Sequence, residues 1–263
     1  MEFDRIYAEV DLGRIEENMK AMKEHLRPGT KMYGVVKTDA YGHGAVPVAR
    51  TIDRFVCGYA VATVDEGLKL RRHGIEKEIL CLGPVSAGRY QECLENDISL
   101  PMFEYQRAKE LSDAAVAEGK TAKIHIAVDT GMSRIGLFPD EGSVETVKEI
   151  AELPALRIAG MFTHFARADE ADKTKAGEQY RRFHAFCDAG KAAGVEVPVC
   201  HCSNSAGIAE IREANMDMVR AGITLYGLWP SEEVDQNSLD LKPVMELKTH
   251  VAYVKDLEAG RAN

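Results

Sequence analysis

The sequence predicts a parallel (β/α)8 barrel, and three observations carry that prediction. Short apolar runs recur at residues 32–36, 58–61, 78–82, 99–102, 123–128, 157–162, 198–201 and 216–219. Between them lie amphipathic stretches with charges on one face, for example residues 65–73, 105–118, 145–152 and 177–193. About eight such βα units argue for a closed barrel rather than an open sheet. The length of 263 residues, 45% of them hydrophobic, buries one large core of the size such a barrel needs. No Gly-x-Gly-x-x-Gly follows the first barrel strand, so a dinucleotide fold has no support.

Each end of the chain departs from that rhythm. Ile6-Tyr7-Ala8-Glu9-Val10 alternates as a strand does, and Asp11 caps a helix over residues 12–26 that Pro28-Gly29 closes. After Met218-Val219-Arg220-Ala221-Gly222 the rhythm stops: residues 230–243 are polar and loop-like, and residues 244–257 turn strand-like around Val251-Ala252-Tyr253-Val254. The expected organisation is an N-terminal strand in residues 1–12 that belongs with a β domain, a barrel over 13–230, and a linker leading outward over 231–263.

Net charge is −9 and no Lys/Arg cluster suited to a phosphate backbone occurs, which argues against a nucleic-acid partner. No signal-peptide pattern opens the chain, and no apolar run approaches the roughly 20 residues of a membrane span, so the expectation is a soluble chain. Six scattered cysteines without C-x-x-C spacing fit a reducing cytoplasm. In Cys200-His201-Cys202, strand alternation points the cysteines to one face and His201 to the other, so no metal site is expected.

In a barrel, the side chains at the C-terminal strand ends share one site. The first barrel strand ends in Val35-Val36-Lys37-Thr38-Asp39-Ala40-Tyr41-Gly42-His43-Gly44. A lysine partly desolvated at a strand mouth becomes a nucleophilic amine able to form a Schiff base, although the same residues also fit a lysine that snorkels to solvent and glycines that merely turn the chain. Later strand ends lead to Asp129-Thr130-Gly131-Met132-Ser133-Arg134, Thr163-His164-Phe165, His201-Cys202-Ser203-Asn204-Ser205 and Arg220-Ala221-Gly222-Ile223. One amine, two guanidiniums, imidazoles and small hydroxyls suit an anionic aromatic ligand. Ser205 with Ala206, and Gly222 with Ile223, stand where barrels often bind phosphate, and Tyr41 could add its hydroxyl. Asn204 and Ser205 also fit a plain helix cap, and His164 a hydrogen-bonded core histidine.

The V-V-K-T-D-A-Y-G-H-G stretch resembles the pyridoxal phosphate (PLP) attachment motif of the alanine racemases, and further matches follow from Ala8-Glu9-Val10-Asp11-Leu12 to Val254-Lys255. The resemblance implies a PLP-dependent isomerase that interconverts L- and D-alanine for peptidoglycan, works as a homodimer, and uses Lys37 as Schiff-base lysine and base. It implies Tyr41, His164, Asn204, Ser205, Arg220, Gly222 and Ile223 around the cofactor, with Arg220 on the pyridine nitrogen, His201 behind Arg220, and Arg134 toward the cofactor's phenolic oxygen and the substrate carboxylate. An arginine only donates, so the ring nitrogen stays an unprotonated acceptor and the electron sink is weak, which favours racemisation over transamination.

One departure stands out: many relatives carry a carbamylated lysine two residues before the motif's Asp129, where this chain has Ala127. A bound anion such as chloride, or a neighbouring side chain, is expected to serve Arg134 instead. In the family a β-rich domain follows, and its tyrosine, from the partner subunit, is the second base. The chain ends at Asn263 without it, so low activity is expected, and residues 6–10 and 251–254 are expected to pair with each other or across a dimer. The rival readings are a racemase for another amino acid such as serine, a single-domain PLP-carrying barrel, a fold-related decarboxylase with a carboxylate at the ring nitrogen, and a barrel for another phosphate ligand.

Overall fold

A computed structural model describes residues 5–261. After β1 (Ile6–Val10) and α1 (Leu12–His25), eight parallel strands follow: β2 (Lys31–Val35), β3 (Gly58–Val61), β4 (Glu78–Cys81), β5 (Ile98–Met102), β6 (Ala122–Ala127), β7 (Leu156–Phe162), β8 (Cys200–His201) and β9 (Met218–Ala221). They lie in the order β8-β7-β6-β5-β4-β3-β2-β9. The gap between the two end strands is bridged where Arg220 N donates to Ser203 O at 3.0 Å and Cys200 N donates to the Asp217 carboxylate at 2.8 Å. The (β/α)8 barrel expected from the sequence is present and nearly closed.

The surrounding helices are α3 (Ala45–Ile52), α4 (Val64–Arg72), α5 (Tyr90–Glu95), α6 (Tyr105–Ala117), α7 (Glu141–Ala151), α8 (Thr174–Ala192) and α9 (Ser205–Glu210). Their starts follow local chemistry. Asp11 accepts from Gly13 N and Arg14 N, Thr63 from Glu66 N, Asp140 from Ser143 N, and Asn204 from Gly207 N. The main core lies between these helices and the outer strand faces, while Tyr33, Val35, Ala60, Leu80 and Met218 pack inside the barrel.

Two expectations shift. The last barrel strand, expected at residues 216–219, is Met218–Ala221, because Met216 holds φ 40° and ψ −135° and cannot extend the strand backwards. Strand β1 pairs antiparallel with β10 (Met245–Thr249), from Val10 against Met245 to Ile6 against Thr249, and not with residues 251–254. The reason is an anchor outside the sheet. Asn18 on α1 donates to the Lys242 and Leu225 carbonyls and accepts from Lys242 N, while Arg14 donates to Pro243 O. The returning chain therefore enters beside Val10, and Val251, Tyr253 and Val254 run past the strand with 78% of their surface exposed.

Candidate functional site

The side chains at the C-terminal strand ends enclose a cavity of about 690 Å³. Lys37, Tyr41, Arg134, His164, Asn204, Ser205, Arg220, Gly222 and Ile223 all line it, together with Met132, Phe165 and Asp169 among others. Three cationic side chains against one carboxylate give this wall a positive balance in a chain whose total charge is negative.

Lys37 enters from the end of β2 at the start of α2 (Lys37–Tyr41). This segment is not an ordinary helix. Thr38, Asp39, Ala40 and Tyr41 hold φ between 52° and 56°, four consecutive left-handed residues of which none is glycine. L-residues adopt that region at a cost, so something must hold it. The two oxygens of Glu66 accept from Thr38 N and Ala62 N, each at 2.7 Å. Asp39 accepts from Ala45 N at 2.9 Å and from the Lys69 ammonium at 2.8 Å, and Ala40 is wholly buried. The turn swings the Tyr41 ring inward, 5.7 Å from Lys37 Nζ and 5.0 Å from the Tyr226 ring. Tyr226 is itself fixed by donating to Val35 O at 2.9 Å and by stacking on His43 at 4.5 Å. Burial pushes the Tyr41 phenol up, so its hydroxyl stays a donor.

Arg220 forms the floor. It is 3% exposed and donates to the carbonyls of Thr163 at 2.8 Å and of His201 and Cys202 at 3.2 Å, and to His201 Nδ1 at 2.8 Å. Burial, with the Arg134 charge added, lowers its pKa to about 10 even though the Cys202 side chain works the other way, and it remains protonated at neutral pH. His164 Nδ1 lies 3.3 Å from the same guanidinium. Burial first, then the charges of Arg220, Arg134 and Lys37, bring His164 down to about 3, so it is a neutral ring beside three cations.

Elsewhere in the lining Ser205 Oγ accepts from Gly222 N at 3.2 Å, Thr224 N at 3.3 Å and the Thr224 hydroxyl at 3.0 Å. Asn204 both lines the cavity and caps α9, so the capping and lining readings coexist. A Cβ on Gly222 would stand 3.3 Å from Ser205 Oγ and 3.5 Å from Tyr41 Oη. Only a glycine leaves that backbone open between the two hydroxyls.

Arg134 sits in a loop that closes on itself. Asp129 accepts from Gly131 N at 2.9 Å and Ser133 N at 3.0 Å, and Asp129 N donates to Leu137 O at 2.8 Å. Ala127, at the end of β6, is buried beneath it. Among the described residues Arg134 makes no hydrogen bond or ion pair, and the groups it influences are His164 and Arg220. No side chain among the described residues pairs with Arg134 in the way the expected substitute would, although the Asp169 carboxylate lines the same cavity.

His201 faces the barrel interior while Cys200 lies against Cys187 and Cys202 donates to Ala214 O, so the Cys200-His201-Cys202 run splits across two faces. Sequence reading did not reach Glu66, Tyr226, His125 or Glu78. The first two are visible only as a charge and an aromatic at helix-like spacing, with no local signal of their long-range partners. Among the described residues no helix is long and apolar enough to cross a membrane.

Comparison with known proteins gives a consistent result. Residues 10–230 match the family described as alanine racemase, N-terminal domain. The chain is 45% identical over 256 residues to an alanine racemase of Clostridium novyi (strain NT), covering 97% of this chain and 66% of the relative, slightly under two thirds of that protein's length. An alanine racemase of Methanococcus maripaludis is 42% identical, with 96% and 68% covered. Among solved structures, alanine racemase of Clostridium difficile 630 superposes with a TM-score of 0.95 at 37% identity, covering 97% of this chain and 71% of that one. The alanine racemase of Bacillus anthracis with bound L-Ala-P gives 0.88 at 35%, covering 98% and 67%. With the barrel, the lysine-bearing turn and the arginine floor in place, the chain belongs to the alanine racemase N-terminal domain family.

Proposed function

We propose that this chain is the PLP-carrying barrel of an amino-acid racemase, residues 13–230, and that the substrate is alanine. The observation that carries the reading is that Lys37 and Arg220 line one cavity together with Tyr41, Ser205 and Gly222, whose hydroxyls and backbone N–H suit an anion. The residues fit PLP. Gly222 N, the Ser205 and Tyr41 hydroxyls and the backbone at Ile223 suit its phosphate, in a gap that a single Cβ would fill. Arg220 suits the pyridine nitrogen, and its fixed carbonyl and imidazole acceptors orient it.

PLP bound there supplies an electron sink that acidifies the Cα–H of an attached amino acid. Lys37 takes or returns that proton on one face. Arg220, able only to donate, would hold a ring nitrogen without protonating it, and the shallow sink that results would favour return of the proton. His164, held neutral, would stand beside the ring without adding a fourth positive charge. Arg134 receives the substrate carboxylate. The second base belongs, on this reading, to the part of the relatives that this chain does not span, and comes from a partner copy in a homodimer. The β1/β10 ribbon, a sheet separate from the barrel, belongs with that part. The bound L-Ala-P of the Bacillus anthracis relative supports an alanine-type ligand.

The test is the visible spectrum of the purified chain with added PLP. An absorption band that borohydride removes while fixing the cofactor to the chain, and that is lost in Lys37→Ala, supports the site. No band with this chain or with a longer form covering the whole length of its relatives refutes it. Assaying the longer form on alanine and serine then decides the substrate.

A further inference from the structure

The interior of a (β/α) barrel is usually filled by branched aliphatic side chains contributed in layers by alternate strands. Here the alternate strands β2, β4, β6 and β8 contribute Tyr33, Glu78, His125 and His201. They form a continuous hydrogen-bonded line. His201 Nε2 lies 3.0 Å from His125 Nδ1, and His125 Nε2 lies 3.4 Å from a Glu78 oxygen. Ser99 donates to the same oxygen at 2.7 Å, and the Tyr33 hydroxyl also bonds Glu78. The line ends at Arg220, whose Nη1 meets His201 Nδ1.

The barrel wall is shaped to admit this layer. A Cβ on Gly160 would stand 2.6 Å from His125 Nδ1, and one on Gly58 would stand 2.7 Å from the Tyr33 ring. The β6/β7 register also shifts between Ile124 and His125. Both rings depend on a neighbouring strand having no side chain at that point.

The line has one direction. Arg220 can only donate, so His201 Nδ1 accepts and its proton sits on Nε2. His125 Nδ1 must then accept, which places the His125 proton on Nε2, pointing at a carboxylate that can only accept. Both ends demand the same arrangement. Burial would raise the Glu78 carboxyl, but the bonds from His125, Tyr33 and Ser99 overcome it and hold it at about 2. Arg220 has no carboxylate of its own among the described residues: Glu78 is the acid in its hydrogen-bonded line, two imidazoles away.

We propose that Glu78 and His125 are positioning residues for Arg220, acting through His201, so that a carboxylate at the N-terminal end of the barrel sets how the guanidinium presents its donors to the cavity at the other end. This rests on the assignment of Arg220 to a ring nitrogen. The negative end polarises both imidazoles, strengthens His201 Nδ1 as an acceptor, and ties the inner edge of the guanidinium so that its outer edge faces the ligand. It also counterbalances a buried cation without setting a carboxylate against the ring, which would change the reaction type.

The test has two arms, both using Glu78→Gln, which keeps an acceptor and removes the charge. In the first, 15N-histidine spectra are recorded without cofactor. The expected result is that the His201 ring nitrogens shift although Glu78 does not touch that residue, while exposed His184 and His73 stay in place. Movement confined to His125 overturns the proposal. In the second, PLP affinity is titrated. Glu78→Gln is expected to weaken it about 3- to 10-fold in the native background and less than about 1.5-fold in a His201→Asn background, where the line is already cut. Equal losses in both backgrounds mean a general packing effect and overturn the proposal. If neither protein binds PLP at all, the assignment of the cofactor fails, and the cofactor-free spectra alone decide the relay. Should His201→Asn not fold, His125→Asn cuts the same line one link further from Arg220.

Discussion

The left-handed turn after Lys37 offers the sharpest quantitative test, through Glu66. Four non-glycine residues at φ between 52° and 56° cost roughly 1–2 kcal/mol each, or about 4–8 kcal/mol together. That cost is carried by contacts the turn makes with its neighbours, and Glu66 supplies a short one, to Thr38 N at 2.7 Å, while its other oxygen is anchored by Ala62 N at 2.7 Å. Bonds to a charged acceptor contribute about 1.5–3 kcal/mol each, and partial exposure of Glu66 brings the pair to about 2–4 kcal/mol. Glu66→Ala is expected to lower unfolding stability in urea by that amount and to weaken PLP binding as Lys37 loses its fixed base. Glu66→Gln keeps one acceptor and is expected to lose about half as much. Thr38→Gly relieves one strained residue but pays chain entropy, for a net gain of about 0.5–1 kcal/mol, and it should recover stability in the Glu66→Ala background. Loss of less than about 0.5 kcal/mol in Glu66→Ala, together with destabilisation by Thr38→Gly, would refute the strained-turn argument.

Three further outcomes are expected. Gly136→Ala places a Cβ 2.5 Å from Asp129 N at a φ of +125°, so the Arg134 loop must open: stability falls by about 2–4 kcal/mol in chemical denaturation and substrate affinity falls with it. Burial and neighbouring cations lower His164 to about 3 and His201 well below the usual histidine value, so both are neutral in the folded chain. Their unfolded forms take up protons as pH falls below about 6.5 while the folded forms do not, so stability is fully present above that pH and is lost toward pH 3. Each contributes up to about 1.4 kcal/mol per pH unit in that window, and His201→Asn should make the fall of stability between pH 6 and 4, followed by urea unfolding, shallower by up to that amount. Finally, Arg134 makes no ion pair among the described residues, so exchanging chloride for a large organic anion at constant ionic strength is expected to weaken carboxylate-ligand binding. Ala127→Lys, once carbamylated, should abolish that dependence, and a wild-type response identical in both salts would show that no small anion serves Arg134.

The sequence by itself determined the barrel and the ring of polar residues at its mouth. Apolar runs of four to six residues, broken by capped amphipathic helices, are local signals, and a parallel barrel turns every strand end toward one cavity. That is why Lys37, Arg134, His164, Ser205 and Arg220, far apart in the chain, could be assigned to one mouth from their positions after apolar runs. What the tertiary structure alone decided depends on partners that no local pattern names. Thr38 to Tyr41 have no propensity for a left-handed turn, and their conformation is imposed by Glu66 and Lys69 on another helix. The strand after Pro243 pairs at Met245 rather than at Val251 because Asn18, 224 residues away from Lys242, fixes where the chain returns. Glu78 and His125 look like ordinary strand residues until barrel closure turns them inward to His201 and Arg220. Periodicity is written along the chain, whereas the identity of the group across a closed barrel is set only when loop-closure entropy has been overcome by long-range contact.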